Sequence, residues 1–154
     1  GETVLGVVYA PYLNELYEAC KGKGAMLNGR SIHVSGKNDT QESVVSTGFP
    51  IDKDRNPDNN LDNLARILPM VRGVRRQGSA AFDLCCVAAG ILDGYWEFNL
   101  HLWDVCAGIL IVTEAGGTVR SFREDRNVSI VAGTPAIVEQ LYPRLSDKPG
   151  KICL

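Results

Sequence analysis

No apolar run in the 154 residues approaches the ~18 positions that a membrane-spanning helix requires. The longest candidate, around Val105 to Val112, is broken by Gly108 and opens beside Asp104, so no membrane partner is expected. No charge of one sign dominates either: 16 Lys and Arg face 18 Asp and Glu, for a net charge of −2. That balance argues against generic binding to nucleic acid or anionic membranes. Internal repeats and low-complexity tracts are missing, and so are a signal peptide and a lipidation motif. The five cysteines (Cys20, Cys85, Cys86, Cys106 and Cys153) are odd in number and match no zinc spacing. They read as reduced, mostly buried small hydrophobes of a cytoplasmic protein. The chain opens with Gly1 rather than methionine, which suggests processing or a piece of something longer.

What is present is ample apolar material, 45% of all residues, with 22% charged. A chain of this size buries roughly 70% of the surface its unfolded form exposes, enough for one compact unit. The first third reads as an antiparallel meander of three or four strands, drawn from Val4 to Tyr9, Glu15 to Cys20, Ala25 to Leu27 and Ser31 to Val34. Asn28-Gly29 supplies its strongest turn signal, because both residues tolerate positive φ. From Ser43 onward strands and helices alternate. Strands are predicted over Ser43 to Thr47, Gly73 to Arg76, Tyr95 to Phe98, Thr118 to Phe122 and Val128 to Ala132. The Leu61, Leu64, Ala65, Leu68 stripe predicts a helix, with Pro57 placed to open it. Ala80 to Ala89 and Val105 to Ala115 are apolar nearly all round, so both are expected to be covered on more than one side. Pro135 to Leu145 closes the fold as a helix. These patterns predict a layered α/β sandwich. Its expected parts are residues 1–42 (remaining strands of an N-terminal sheet), 43–145 (an α/β subdomain) and 146–154 (a tail).

Three places could carry chemistry. Asp104, beside Trp103 at a helix start, is open to two readings. It could be a helix N-cap, or a rigidly held carboxylate ligand for a hard cation such as Mg²⁺. Glu97, seven residues earlier, is expected to end a strand and to face the same cleft across a loop from Asn99 to Leu102 that holds His101. The run Arg75 to Ala80 is a strand-to-helix turn. Gly78, Ser79 and Ala80 would let a phosphate approach backbone amides, or would form an ordinary turn capped by Ser79. The polar segment Asp52 to Asp62 has the composition of a calcium loop but not its spacing, and reads as a solvated loop. His33 reads as solvent-facing.

Four blocks in order then resemble one family. They are Gly22-Lys23-Gly24-Ala25 with Asn28-Gly29; Gly78-Ser79-Ala80-Ala81; Ala89-Gly90 followed by Asp93-Gly94-Tyr95-Trp96-Glu97; and Leu102-Trp103-Asp104-Val105-Cys106-Ala107-Gly108 running through Thr113-Glu114-Ala115-Gly116-Gly117. The chain resembles the C-terminal half of the inositol monophosphatase family over roughly Val4 to Leu141. The resemblance implies a layered sandwich of the inositol monophosphatase (sugar phosphatase) type, truncated to the end of its first antiparallel sheet plus the C-terminal α/β/α subdomain. It implies a Mg²⁺-dependent, lithium-sensitive phosphomonoesterase, usually a homodimer. By that resemblance Asp104 is a metal ligand and catalytic, Glu97 hydrogen-bonds a substrate hydroxyl, and Gly78, Ser79 and Ala80 line the substrate pocket. His101 would neighbour the metal loop.

One departure is large. The family's D-P-x-D-G-T metal motif is nowhere in these residues, and the Ser121 to Val128 loop is shorter than the Gly-rich hairpin of relatives. The expected function is therefore that of the C-terminal portion of a phosphatase for inositol monophosphate or a similar small phosphate ester, inactive alone. Fructose bisphosphate, histidinol phosphate and nucleotide 3′-phosphates are the substrates of neighbouring branches; Glu97 favours a polyol. A competing expectation is a non-catalytic chain that associates through an unpaired strand edge.

Overall fold

The computed structural model describes residues 1–145. The predicted tail, 146–154, and Cys153 lie outside the described residues. Four strands, β1 (Leu5–Ala10), β2 (Glu15–Cys20), β3 (Ala25–Leu27) and β4 (Arg30–Ile32), form an antiparallel meander in that order. The β3–β4 turn is Asn28-Gly29, with φ of 49° and 74°. Two consecutive residues at positive φ are what a tight two-residue hairpin needs to follow the strand twist. Asn28 also uses its side chain, accepting from the Leu16 amide at 2.8 Å.

The second sheet contains β5 (Val44–Thr47), β6 (Gly73–Arg75), β7 (Gly94–Leu100), β8 (Thr118–Ser121) and β9 (Val128–Gly133). Their spatial order is β6-β5-β7-β9-β8, with β5 parallel to β6 and β7, and β9 antiparallel to β7 and β8. Helices α2 (Ala80–Ala88) and α3 (Leu102–Glu114) lie between the two sheets. Their core joins Tyr17, Ala19 and Ala25 of the meander to Tyr95, Ile130 and Ala132 of the second sheet. This double coverage explains why both helices are apolar on nearly every side. The helices approach closely at Gly108, where a Cβ would fall 2.7 Å from the Leu84 side chain. A second core, built on Val45, Trp96, Phe98 and Val131, packs the outer face of the second sheet against α1 (Leu61–Ile67) and α4 (Pro135–Leu141). The result is a four-layer β/α/β/α stack. Among the described residues no helix is long and apolar enough to cross a membrane.

Several expected boundaries move. Strand β7 does not stop near Glu97 but continues to Leu100, because its pairing with β9 absorbs an irregularity between Glu97 and Leu100. Asn99 sits there at φ 62°. Alternation would place Leu100 with Trp96, yet it joins the core of Tyr95, as a bulge that reverses side-chain parity requires. The expected loop from Asn99 to Leu102 shrinks accordingly, and α3 starts at Leu102, three residues before the predicted Val105. Pro57 does not open α1, which begins four residues later at Leu61. The closing helix ends at Leu141 and tightens into a 3₁₀ turn over Tyr142–Arg144.

The segment from Asp52 to Asn60 is not the freely solvated loop expected. Arg123, only 5% exposed, holds Asp58 through two bonds of 2.9 and 3.0 Å, and Arg126 bonds the same carboxylate at 3.0 Å. Beyond it Asn60 is buried and adopts φ 73°. Its Nδ2 donates to Thr47 Oγ1 and the Gly48 carbonyl at 2.9 and 2.6 Å, and its Oδ1 accepts from Trp96 Nε1 at 3.0 Å. Truncating Asn60 strands the indole N–H in an apolar core and asks alanine to hold a left-handed backbone. Asn60→Ala is therefore expected to lower unfolding free energy by about 2–4 kcal/mol, read from the urea midpoint. A midpoint unchanged from the parent would contradict this role.

Candidate active site

Alternation along β7 builds the site. Trp96 and Phe98 turn toward α1 and α4, so Tyr95 and Glu97 turn to the opposite face, toward α2 and α3. Two residues apart on one face, they meet: Tyr95 Oη donates to Glu97 Oε2 at 2.6 Å. Glu97 Oε1 accepts no hydrogen bond among the described residues. The chain then reverses at His101 into α3, and Asp104 arrives in the first helical turn. Glu97 and Asp104 line one cavity of about 300 Å³, together with Phe49, Pro50, Ile51, Asp52 and His101.

Asp104 is not the N-cap of α3. It is the third helical residue, and its Oδ2 accepts from the His101 backbone N–H at 2.8 Å, the reciprocal half of a capping box. This use occupies one oxygen and leaves Oδ1 without a partner among the described residues. His101 stacks on the exposed Trp103 ring, 4.4 Å between centroids. The Gly78, Ser79, Ala80 turn is not part of this cavity's lining. Gly78 has φ 90°, and Ser79 caps α2 by accepting from the Phe82 amide at 3.5 Å. His33 is exposed in the segment after β4.

Burial and like charges set the electrostatics. Desolvation pushes the Glu97 carboxyl above its ordinary range, with Asp83 and Asp104 raising it further and the Tyr95 hydrogen bond and Arg76 opposing the rise. Asp83, in the first turn of α2, is 1% exposed, and among the described residues its Oδ1 has no hydrogen-bond partner. Burial raises its carboxyl to about 6, although Ser46, Gln77, the Ser79 backbone and Arg76 all favour the charged form. Tyr95 is pushed well above the usual phenol range, so it remains a donor to Glu97. Tyr95, Asp83 and Gly48 were not among the candidates drawn from sequence. The lone carboxylate within the apolar Ala80 to Ala89 run was the available signal for Asp83.

Mg²⁺ prefers octahedral oxygen ligation, commonly one or two carboxylates with waters and substrate phosphate. Among the described residues, no group of three or more His, Cys, Asp and Glu side chains could hold a metal ion. Asp104 offers one open oxygen, while Glu97 is neighboured by Tyr95 and rests in a desolvated wall. These residues by themselves do not complete a Mg²⁺ site.

The comparisons agree on kinship. The inositol monophosphatase family model matches residues 1–148. An inositol-1-monophosphatase of Synechocystis is 47% identical over 118 residues, covering 77% of this chain and 41% of its own length. A protein named Nus factor SuhB from Pasteurella multocida is 40% identical over 156 residues, covering 96% and 58%. The solved inositol monophosphatase of Anabaena superposes with a TM-score of 0.87 at 38% identity, covering 94% of this chain and 59% of that one. The matched residues thus span 41% to 59% of the length of these relatives.

A raised carboxyl binds its proton more tightly in the folded state, so stability is fullest below the unfolded value and falls as pH rises through the folded one. For Asp83 that window runs from its ordinary value of 3.8 to about 6. Comparison of Asp83→Asn with the parent by thermal unfolding is expected to show the variant gaining relative stability across this window. A constant difference from pH 4 to 7 would contradict the assignment. By the family model that matches nearly its whole length and by these relatives, the chain belongs to the inositol monophosphatase family.

Proposed function

We propose that this chain forms the substrate-facing C-terminal portion of a Mg²⁺-dependent phosphomonoesterase for inositol monophosphate or a similar small polyol phosphate. The observation that carries the reading is the shared cavity of Glu97 and Asp104, each with one oxygen left unbonded. In its ionised form Glu97 accepts a hydrogen bond from a substrate hydroxyl, which suits a polyol better than a nucleotide. Asp104 supplies a carboxylate to the cation that the longer family fold binds. Where that cation is bound, it supplies Lewis-acid polarisation of the phosphate and an activated water. Gly78, Ser79 and Ala80 lie outside the lining of that cavity and would meet only a ligand that extends beyond it, through backbone, since the Ser79 hydroxyl is committed to its cap.

Among the described residues no group of three or more potential ligands gathers, and the D-P-x-D-G-T motif is absent from the sequence, which supports the expectation of no turnover by this chain alone. A reducing, cytoplasmic setting suits the free cysteines among the described residues, Cys20, Cys85, Cys86 and Cys106. Phosphate release from inositol 1-phosphate with Mg²⁺ tests the reading. The chain alone is expected to release none above background, whereas the same chain joined to a family N-terminal half is expected to be active. Since removing even groups that merely support metal ligands costs 10- to 100-fold, Asp104→Asn in the joined form should cost at least about 100-fold. An inert joined form, or one indifferent to Asp104→Asn, would overturn the assignment.

Association is the second reading, favoured by one specific observation. Strand β1 is an edge of the meander, and its Leu5, Val7 and Tyr9 are 63%, 51% and 53% exposed. Unpaired edges bearing apolar side chains recruit other strands. Light scattering at tens of micromolar is expected to give a metal-independent dimer if this edge drives homodimer formation; a monomer would remove the reading.

A further inference from the structure

We infer that Tyr95 and Gly48 are positioning residues that fix the Glu97 carboxylate in one orientation, with Oε1 alone presented to the substrate hydroxyl; this rests on the reading of Glu97 given above. Two contacts carry it. From the same face of β7, Tyr95 Oη occupies Oε2 at 2.6 Å. From the end of β5, Gly48 leaves the space the carboxylate fills: a Cβ there would fall inside the Glu97 carboxylate itself. Gly48 is in turn held by Asn60, whose Nδ2 bonds its carbonyl at 2.6 Å while bonding Thr47 beside it. The glycine therefore cannot drift away to admit a side chain without breaking a buried network.

Physical chemistry explains why a carboxylate needs such fixing. Glu97 has three rotatable bonds, and freezing them during binding weakens affinity by the entropy lost. A carboxylate already clamped on one oxygen meets its ligand without that loss. The hydroxyl of Tyr95 also opposes the repulsion from Asp83 and Asp104, the acidic groups facing Glu97 from α2 and α3, as Arg76 does from the turn before α2. Tyr95→Phe keeps the ring in its core and removes only this donor. Gly48→Ala evicts the carboxylate while leaving Tyr95 intact.

Two measurements test the inference. The first follows the Glu97 carboxyl by ¹³C NMR titration in the 154-residue chain. Because a hydrogen bond to the ionised form lowers a carboxyl's pKa, Tyr95→Phe is expected to move its midpoint upward. An unchanged midpoint would overturn the role of Tyr95. The second uses the active joined form with inositol 1-phosphate. Losing a hydrogen bond to a charged group corresponds to about tenfold or more in binding. Tyr95→Phe and Gly48→Ala are both expected to raise KM by that factor while kcat changes less than about threefold. If Glu97→Gln raises KM but neither positioning variant does, the positioning is refuted and the substrate role of Glu97 stands. If Glu97→Gln itself leaves KM unchanged, the substrate role is what fails. Should Gly48→Ala not fold, Tyr95→Phe decides alone.

Discussion

The hydrogen bond from Trp96 Nε1 to Asn60 Oδ1 is the constraint on which the rest of the site depends. A buried indole must find an acceptor for its N–H, and here that acceptor comes from the connection between β5 and α1. Once Trp96 is committed to the outer core, the period of two in a strand leaves Glu97 no choice of face. The same Asn60 reaches back to Thr47 and Gly48, fixing the end of β5 against the very carboxylate that β7 has delivered. Core packing and site geometry are thus one arrangement seen from two sides of a sheet.

The site gathers negative charge at some expense. Asp83 and Glu97 are both raised by desolvation, and Asp104 adds to the repulsion on Glu97. A fold selected only for stability would replace such groups with apolar ones. Carboxylates held together in a partly dry wall are suited to meeting a cation or a hydroxyl donor. Nearby, Arg123 and Arg126 lie over the Phe98 ring while gripping Asp58, and Arg126 also pairs with Asp52 of the cavity lining, so that segment is tied to the β8–β9 connection.

Much of the architecture was legible from local rules. Asn28-Gly29 announced a hairpin because positive φ at two successive positions is costly for other residues. The two all-round apolar helices announced that each has a sheet on either side or a helix beside it. That Glu97 and Asp104 could meet at one cleft was legible from their spacing across a short loop, and the structure places both in the lining of one cavity. What escaped were features made by distant partners or by broken periodicity. The bulge at Asn99 extends β7 past Glu97, and alternation alone cannot foresee a reversal of parity. The Arg123–Asp58 pair joins residues 65 apart, so a charged, proline-bearing segment read as solvated. Asp104 looked like an N-cap because the helix was expected to start one turn later. Tyr95 lay in plain view two residues from Glu97, but its role depends on Gly48 closing the space from another strand.

The central claim is that Glu97 and Asp104 line one cavity rather than merely lying near one another in sequence. Titration of Glu97 by carboxyl ¹³C NMR in the parent chain and in Asp104→Asn tests it most directly. Because the Asp104 charge raises the Glu97 carboxyl, neutralising it is predicted to shift the Glu97 midpoint downward. A Glu97 titration indifferent to Asp104→Asn would contradict the shared cavity and, with it, the account of the site.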